Sequence, residues 1–507
     1  MSAEAEVRHR GIITGCVMLA TIMQALDTTI ANVALPYMEG SLSATLDQIN
    51  WVLTSYIVAA AIMTPVTGFL ADRFGRKRFF LVAVMGFTAA SVLCGMAATL
   101  EQMVFFRLLQ GVFGAPLVPL SQSVLLDSYP PEKHGSAMAL WGVGVMVGPI
   151  LGPMLGGWLT QSYDWRWVFY INVPVGIATV VGLSAYLGDS RPLKKSFDWF
   201  GFLTLSLAIG ALQMMLDRGE QLDWFASPEI MVEAALIGLG AYLFAVHTLT
   251  AERPFINPQI FKDRNFSIGL AFIFVVGIIL LATLALLTPY LQNLIGFPVL
   301  TTGLILAPRG IGTMVAMMAV GRLLDRIDAR ALVLFGLMLT AGVLWEMSGF
   351  TPDVSQRTLV WTGILQGLGL GFMFVPLSTI TFATLAPAFR TEGTALFSLM
   401  RNIGSSIGIS IVIFLLTRNT QIVHSELAAR VTPYNDALME PQISAVWNIA
   451  TIAGREALNA EVTRQALIIA YADNFRLMTF VALLAMPFIL LLRIARPVPS
   501  QTQAAPD

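Results

Sequence analysis

Charged side chains are scarce in this chain. They make up 12% of its 507 residues, about half of the roughly 25% that is usual in soluble domains. The formal net charge is −1, so nothing in the charge balance favours nucleic acid as a partner. The two cysteines, Cys16 and Cys94, both lie within apolar runs. We therefore predict no disulfide, no metal site and no thiol chemistry.

Signatures of catalysis and of nucleotide binding are also missing. The hydrophilic segments contain no phosphate-binding Gly-Lys-Ser/Thr loop. The apolar runs contain no cluster of His with Cys or Ser that would suggest an enzyme buried in a membrane. The sequence therefore predicts a protein that is not an enzyme and that uses no nucleotide or other cofactor.

Long apolar runs occupy most of the chain instead. Hydrophobic residues make up 56% of it, and the mean hydropathy is +0.73. An apolar segment of about 20 residues spans a bilayer, and breaks rich in charge, proline or glycine separate fourteen such segments. They are predicted as helices at 12–35, 50–71, 79–98, 102–126, 136–160, 166–187, 199–216, 229–248, 267–289, 301–322, 331–350, 357–383, 393–417 and 474–493.

The fourteen predicted helices divide into two bundles and an insert. Residues 12–187 form the first six-helix bundle and residues 267–493 form the second. Residues 188–266 hold two linkers and an inserted hairpin of the helices 199–216 and 229–248. The predicted fold is thus an all-α polytopic membrane protein with two bundles related by pseudo-symmetry.

Lysine and arginine concentrate in every second connection, and loops of this kind stay in the cytoplasm. Both the N-terminus (1–11) and the tail (494–507) are therefore predicted to be cytoplasmic. The longest hydrophilic segment, 418–473, then lies outside, before the last helix. Its second half, near residues 457–469, has a helical spacing that favours continuation into that helix. Two roles remain open for this outer loop: a cap that leans on the membrane, or a surface that docks a partner.

One charged loop occurs twice. The first copy runs from Gly68 to Arg78 as G-F-L-A-D-R-F-G-R-K-R, and a weaker copy begins at Gly321. A repeat of this kind in a membrane protein suggests a duplicated transporter. The residues expected to act in conformational change are Gly68, Asp72, Arg73, Gly75, Arg76, Asp325 and Arg326.

A single carboxylate lies inside the first predicted helix. At 100° per residue, Asp27 shares a polar face with Gln24, Thr28 and Asn32. An ionised Asp in a membrane costs at least about 2.5 kcal/mol unless it is paired or wetted. Arg107, at a similar depth in the fourth helix, is the predicted partner in proton coupling if the two helices are neighbours. A static ion pair or a packing carboxylate is the alternative.

Other polar residues at membrane depth are candidates for a substrate cavity, and two of them are arginines that either bind an anionic group or satisfy carbonyls at helix ends. The cavity candidates are Gln24, Thr28, Asn32, Gln110, Arg309 and Arg401. The fifth helix carries a stripe of small residues that suits close helix packing, a hinge between the bundles, or both. Its members are Gly144, Gly148, Pro149, Gly152, Pro153, Gly156 and Gly157.

Together these motifs resemble those of a known family. The loop at Gly68 resembles the cytoplasmic signature of the major facilitator superfamily, and Arg107 to Gly111 resembles its proton-coupling motif. The glycine stripe is similar to the antiporter motif of its drug exporters, and Leu26 to Pro36 resembles the first-helix signature of the fourteen-helix drug:proton antiporters. The Trp165-Arg166-Trp167 segment and the long outer loop are similar to the EmrB/QacA family.

This resemblance implies a proton-coupled multidrug efflux transporter of the inner membrane. It implies drug-like amphipathic or hydrophobic substrates, the proton gradient as the energy source, and, in a double-membrane bacterium, a periplasmic adaptor and an outer-membrane channel as partners. The second repeat departs from the pattern, with Ala329 at the position of Arg76 and Gly363 at that of Arg107. An exporter of one specific metabolite is the alternative, and a non-transporting sensor or scaffold is a weaker one.

Overall fold

The computed structural model describes residues 9–189, 196–432 and 446–493, and within these ranges every regular element is a helix. Thirteen helices are long and apolar enough to cross a membrane, and two more that meet at a 60° bend form a fourteenth span. The prediction of an all-α protein with fourteen spans is therefore confirmed. Much of the predicted termini, including 494–507, lies outside the described residues.

The spans, in chain order, are α1 Arg10–Ser41, α2 Trp51–Met63 with Val66–Phe74, α3 Arg76–Met96, α4 Leu100–Ser128, α5 His134–Ser162, α6 Trp167–Tyr186, α7 Trp199–Arg218, α8 Pro228–Thr250, α9 Arg264–Leu294, α10 Val299–Leu323, α11 Ala329–Met347, α12 Gln356–Ala383, α13 Arg390–Ala428 and α14 Ile452–Leu491.

Two spans are interrupted at a proline. The break in α2 contains Pro65, and the break in α4 contains Pro116. Proline lacks a backbone N–H and its ring clashes with the preceding turn, so each span predicted as continuous consists of two helical segments. At the end of α2, Gly75 has a φ of 85°, a backbone region that favours glycine, and it turns the chain directly into α3.

The two bundles repeat one packing scheme. In the first bundle, α1 packs against α5 and α6, and α4 packs against α2 and α3. In the second, α9 packs against α13 and α14, and α12 packs against α10 and α11. Each pair in the first bundle thus has a counterpart eight labels later, which is the pattern expected of a duplicated unit with two helices inserted between the copies.

The inserted hairpin, α7 and α8, touches both bundles. A Cβ atom on Gly210 of α7 would lie 3.2 Å from Ile62 of α2. On the other side, the Ser406 hydroxyl of α13 donates a 3.0 Å hydrogen bond to Gln213 of α7. The hairpin therefore lies across the junction of the two bundles.

The segment predicted as an outer loop is largely helical. Helix α13 continues to Ala428, and α14 already begins at Ile452, so the predicted boundaries at 417 and 474 are wrong. No proline or glycine lies between the predicted end at 417 and Ala428, so this stretch lacks the usual signals that end a helix. The Thr451 side chain caps α14 by accepting from the Gly454 N–H at 3.1 Å.

The bundles meet at the end of the molecule that holds Gly75, which we call the loop end. There, a Cβ on Gly68 of α2 would lie 2.9 Å from Glu392 Cα of α13. Trp141 of α5 stacks on Phe374 of α12 with ring centroids 5.8 Å apart. Contacts as short as these require that the two halves be closed on each other at the loop end.

A disulfide trap tests this closure. The hydroxyls of Ser123 on α4 and Thr391 on α13 lie 3.1 Å apart, so the double variant Ser123→Cys with Thr391→Cys should cross-link upon oxidation, as measured by mass spectrometry of the peptides. A Cβ on Gly157 or Gly303, towards the opposite end, would meet nothing within 4 Å. The matched pair Gly157→Cys with Gly303→Cys should stay reduced. An uncross-linked 123/391 pair would contradict a closed loop end.

Candidate functional site

A buried ion pair lies at the centre of the first bundle. Asp27 of α1 is 0% exposed and Arg107 of α4 is 1% exposed. The Nη1 atom of Arg107 donates to Asp27 Oδ2 at 2.7 Å. The contact predicted between the first and fourth helices is thus present. An ion buried here without a partner would cost several kcal/mol, so each of the two charges depends on the other.

Amide and hydroxyl groups complete the environment of the carboxylate. Gln110 Nε2 donates to Asp27 Oδ1 at 2.8 Å, and Asn172 Nδ2 of α6 donates to the same oxygen at 2.9 Å. Ser91 of α3 accepts from both amides, at 2.6 Å from Gln110 and 3.2 Å from Asn172. Both carboxylate oxygens therefore have donors, and the network joins four helices of one bundle.

The guanidinium of Arg107 is held equally firmly. Its Nη1 also donates to Gln110 Oε1 at 2.7 Å, and its Nε donates to the Val52 carbonyl at 3.0 Å. The group lies over the Tyr56 ring, 4.3 Å from the centroid, in the geometry of a cation–π contact. The Tyr56 hydroxyl accepts from Gln24 Nε2 at 3.3 Å, and this bond connects the buried charges to the polar face of α1.

The predicted polar face of α1 is divided in two. Gln24 and Thr28 are half-buried and Asn32 is exposed, so these three are available to a substrate. Asp27 is sealed within the bundle, and Gln110, predicted to line a cavity, is 0% exposed. In this conformation neither Asp27 nor Gln110 is open to a substrate, because their polar atoms bond to one another and to their neighbours.

Three residues of the network were not predicted: Tyr56, Ser91 and Asn172. Ser91 and Tyr56 are single polar residues in apolar helices, and nothing in their spacing distinguishes them from residues that bond to their own backbone. Asn172 follows a cluster of aromatic residues at the start of α6. An amide buried at a membrane helix end was the signal available for it.

The glycine stripe of α5 packs against α1. A Cβ on Gly148 would lie 2.3 Å from the Ala25 carbonyl, and one on Gly152 would lie 2.0 Å from Thr29 Oγ1. The Thr29 hydroxyl in turn donates to the Gly148 carbonyl at 3.0 Å. The stripe therefore holds α1 in close contact beside Asp27, within one bundle, which is the tight-packing role.

The remaining members of the stripe differ in their surroundings. Cβ atoms on Gly144 and Gly156 would meet Met18 and Ile30 of α1 at 3.5 and 3.0 Å, whereas one on Gly157 would meet nothing within 4 Å. The backbones of Pro149 and Pro153 lie within α5, and their side chains lie outside the described part of the chain. Contact of α5 with the second bundle comes from other residues, such as Gly142 and Ile150.

At the loop end, a carboxylate joins the two bundles. Asp127 at the end of α4 forms an ion pair with Arg76 of the loop motif. Its other oxygen accepts from Arg390 Nη1 of α13 at 2.8 Å. Asp72 and Arg73 also interact with neighbouring groups. Asp127 was not predicted, because one acid at a helix end has many ordinary explanations, such as capping.

The second loop has the same close glycine contact with the other bundle as the first, but among the described residues it lacks the ionic bridge between the bundles. A Cβ on Gly321 of α10 would lie 3.0 Å from the Ala139 side chain of α5, mirroring Gly68 against α13. Asp325 and Arg326 are exposed, and no described residue bridges them to the other bundle. The glycine contact is thus pseudo-symmetric, whereas the ionic bridge belongs to the first loop.

The two arginines of the second bundle differ from Arg107. Arg309 of α10 is 5% exposed, and its Nη2 donates to the Leu280 carbonyl at 3.1 Å. Its Nη1 is buried without a partner among the described residues. Arg401 of α13 is half-buried. No ion pair joins either arginine to a carboxylate in the described part of the chain.

Two pseudo-symmetric helix bundles with an ion pair buried in one of them define a membrane transporter. The chain belongs to the major facilitator superfamily, which it matches over residues 17–409.

Similar proteins indicate which members of the superfamily this chain resembles. The chain is 37% identical to the multidrug export protein EmrB of Escherichia coli K12, over 92% of this chain and 91% of that protein. It is also 37% identical to the fatty acid resistance protein FarB of Neisseria gonorrhoeae, over 93% and 94%. The structure of the human organic anion transporter MFSD10 superposes with a TM-score of 0.62 at 14% identity, covering 95% of this chain and 99% of that one. That similarity concerns the fold alone.

A pair of substitutions on α5 tests the packing role of the stripe. Gly148→Val should lower the thermal unfolding midpoint of the purified protein, because overpacking a close contact typically costs about 1–3 kcal/mol. Gly157→Val is the matched control, since the same side chain there meets open space. If both variants have the same thermal unfolding midpoint as the wild type, α5 does not hold α1 through this stripe.

Proposed function

We propose that this protein is a proton-coupled multidrug efflux transporter that works by alternating access. We place it in the cytoplasmic membrane with both termini inside the cell, and with the loop end on the cytoplasmic side. The observation that carries the proposal is the buried Asp27–Arg107 pair with its amide partners. The names of the relatives, among them multidrug export protein, support the choice of substrates.

Protonation of Asp27 supplies the coupling step. The ionised carboxylate binds Arg107 and draws α1, α3, α4 and α6 together through the network. A proton on Asp27 removes the charge that compensates Arg107, and breaking a buried pair typically costs about 3–5 kcal/mol. An energy of that size shifts a two-state equilibrium by more than a hundredfold. Uptake of a proton therefore favours a different arrangement of the first bundle.

Substrate reaches the same network through the polar face of α1. Gln24 bonds to the Tyr56 hydroxyl, and the Tyr56 ring lies under the Arg107 guanidinium. A drug that binds beside Gln24 and Thr28 changes the surroundings of Tyr56 and hence those of the ion pair. Drug and proton then compete for one conformational equilibrium, which is the thermodynamic requirement for exchange of one against the other.

The Asp127 bridge acts as the latch on the cytoplasmic side. Arg76 binds Asp127 within the first bundle, and Arg390 binds the same carboxylate from the second bundle. These side chains are partly exposed, so each bond is weak, and a change in the first bundle is enough to release them. The driving force is the proton gradient, with no nucleotide or other cofactor.

The substitution Asp27→Asn tests proton coupling. It keeps the size of the side chain and removes the titratable group, so pH-driven ethidium transport in liposomes should fall at least about a hundredfold. The variant should still insert into the membrane, although loss of the counter-charge of Arg107 should lower its thermal unfolding midpoint. Glu346→Gln, which changes an exposed acid at the end of α11, should transport normally. Transport by the Asn variant at the wild-type rate would overturn the proposal.

The substrates we propose are amphipathic or hydrophobic drug-like molecules. One relative is named for resistance to fatty acids, which are amphipathic carboxylates, so acids belong among the candidates. The structure contributes half-buried amide and hydroxyl groups on α1 that suit varied polar groups without selecting one charge.

We also propose that the outer extensions of α13 and α14 dock a periplasmic adaptor that leads to an outer-membrane channel. The two extensions are joined by a 3.0 Å hydrogen bond between His424 and Asn459. Apolar side chains on or beside them are exposed, among them Ile422, Val446 and Ile452. Residues 433–445, which include Ala437 and Leu438, lie outside the described part of the chain, whereas Leu427 and Val431 are half-buried.

Replacing residues 420–450 with a Gly/Ser linker of equal length removes the extension of α13 and its connection to α14, and so tests this docking. Ethidium transport in liposomes should continue, whereas drug resistance of whole cells should be lost at equal expression. Loss of both activities would instead identify the segment as a cap of the transport pathway. Retention of both activities would contradict the proposed docking of an adaptor.

A further inference from the structure

The second bundle lacks the acid that its pseudo-symmetry would supply. Helix α1 meets the α5 stripe where Ala25 faces Gly148, and α9 meets α13 where Phe274 faces Gly404. One turn later, Thr29 faces Gly152 in the first bundle and Ile278 faces Gly408 in the second. In both matches, the residue number in α9 exceeds that of its counterpart in α1 by the same amount.

The same offset puts Val276 at the position equivalent to Asp27. Val276 is 2% exposed, so an apolar side chain fills the place of the carboxylate.

The donors that would hold a carboxylate are nevertheless present. Gln366 is the repeat of Gln110, the residue that donates to Asp27 in the first bundle. It is 0% exposed, and neither its Nε2 nor its Oε1 has a hydrogen-bond partner among the described residues. A buried amide with both ends unsatisfied carries a desolvation penalty that a bound polar ligand would remove.

Arg309 takes the place of the missing repeat of Arg107. The repeat position is Gly363, and a Cβ there would lie 3.8 Å from the Cβ of Arg309. The second bundle thus presents an arginine from α10 where the first presents one from α4. Its Nη1 is buried and unpartnered, in surroundings where an uncompensated charge is costly.

Arg401 lies at the same level of the bundle. Its backbone carbonyl faces Gly277, one turn from the Leu280 carbonyl that accepts from Arg309. The Arg309 guanidinium and the Arg401 backbone therefore both lie against the turn of α9 that follows Val276. Arg401 is half-buried, so this side of the turn is accessible.

We propose that Arg309, Gln366 and Arg401 bind the anionic group of an acidic amphipathic substrate, such as a carboxylate. The substrate supplies the negative charge that Asp27 supplies in the first bundle. This inference rests on the proposed transport function and defines one class of its substrates. These donors resemble those of the first bundle in kind, because guanidinium and primary amide groups surround a single carboxylate in both.

Binding of a matched pair of probes tests the site without any proton gradient. The probes are dansyl-labelled 11-aminoundecanoate and its methyl ester, which differ in the charged group. Fluorescence titration of the protein in lipid nanodiscs, corrected with empty discs, should show that the wild type prefers the acid. Arg309→Gln and Arg401→Gln should each lower the acid:ester affinity ratio at least about tenfold, since a hydrogen bond to a charged group is worth about 1.5–3 kcal/mol. Arg357→Gln, an exposed arginine of α12, is the control.

A third variant, which keeps both arginines, tests the site independently of any misfolding of the arginine variants. Val276→Asp installs the missing acid within the protein, where it should pair with an arginine and exclude the acidic probe. The ratio of its affinity for the acid to its affinity for the ester should fall towards one. In the wild type, the acid should also raise the thermal unfolding midpoint more than the ester does.

Equal binding of acid and ester by the wild type would overturn the proposal, as would an unchanged ratio in all three variants. Neither result would bear on pH-driven ethidium transport. Failure of the Asp27→Asn experiment would overturn proton coupling while leaving the acid:ester ratio as it is. The two proposals therefore fail separately.

Discussion

A buried pair of opposite charges is the constraint on which the first bundle depends. Asp27 and Arg107 are accommodated inside a membrane protein because each bonds to the other and because Gln110, Asn172 and a backbone carbonyl satisfy their remaining polar atoms. That arrangement requires α1 to lie close to α4 and α6. The glycine stripe of α5 makes this possible on the opposite side of α1, where any side chain at Gly148 would displace it. Charge pairing and close packing thus position the same helix, and a change of charge at Asp27 acts directly on it.

The two bundles share a frame and differ in their charges. Helix pairing repeats throughout, and the glycine contacts at the loop end repeat with it. The first bundle holds a buried acid and its arginine, whereas Arg309 and Arg401 of the second form no ion pair with a carboxylate among the described residues. The ionic latch at Asp127 likewise uses the first loop and has no counterpart at Asp325. In our account, the first bundle carries the proton and the second accepts the charge of an acidic substrate.

Much of this could be predicted from the sequence, for identifiable reasons. Apolar runs define spans because the bilayer sets their length, and a lone aspartate in such a run predicts a partner because burial of a single charge is costly. Residues that act through tertiary contact could not be found in this way. Ser91, Asn172 and Asp127 have no periodic pattern that distinguishes them from ordinary polar residues. The extension of α13 was predicted as a loop because hydropathy falls there, although helix formation needs no apolar face beyond the membrane.

The central claim is that drug binding and protonation of Asp27 exclude each other. Proton release provides the most direct measurement: ethidium is added to purified protein in weakly buffered solution, and the pH change is followed with an indicator dye. The account predicts that the wild type releases protons as it binds drug. It predicts that Asp27→Asn, which mimics the protonated form, binds drug more weakly and releases no protons even when saturated. Equal release by the two proteins would show that the proton comes from another group, and would contradict the account.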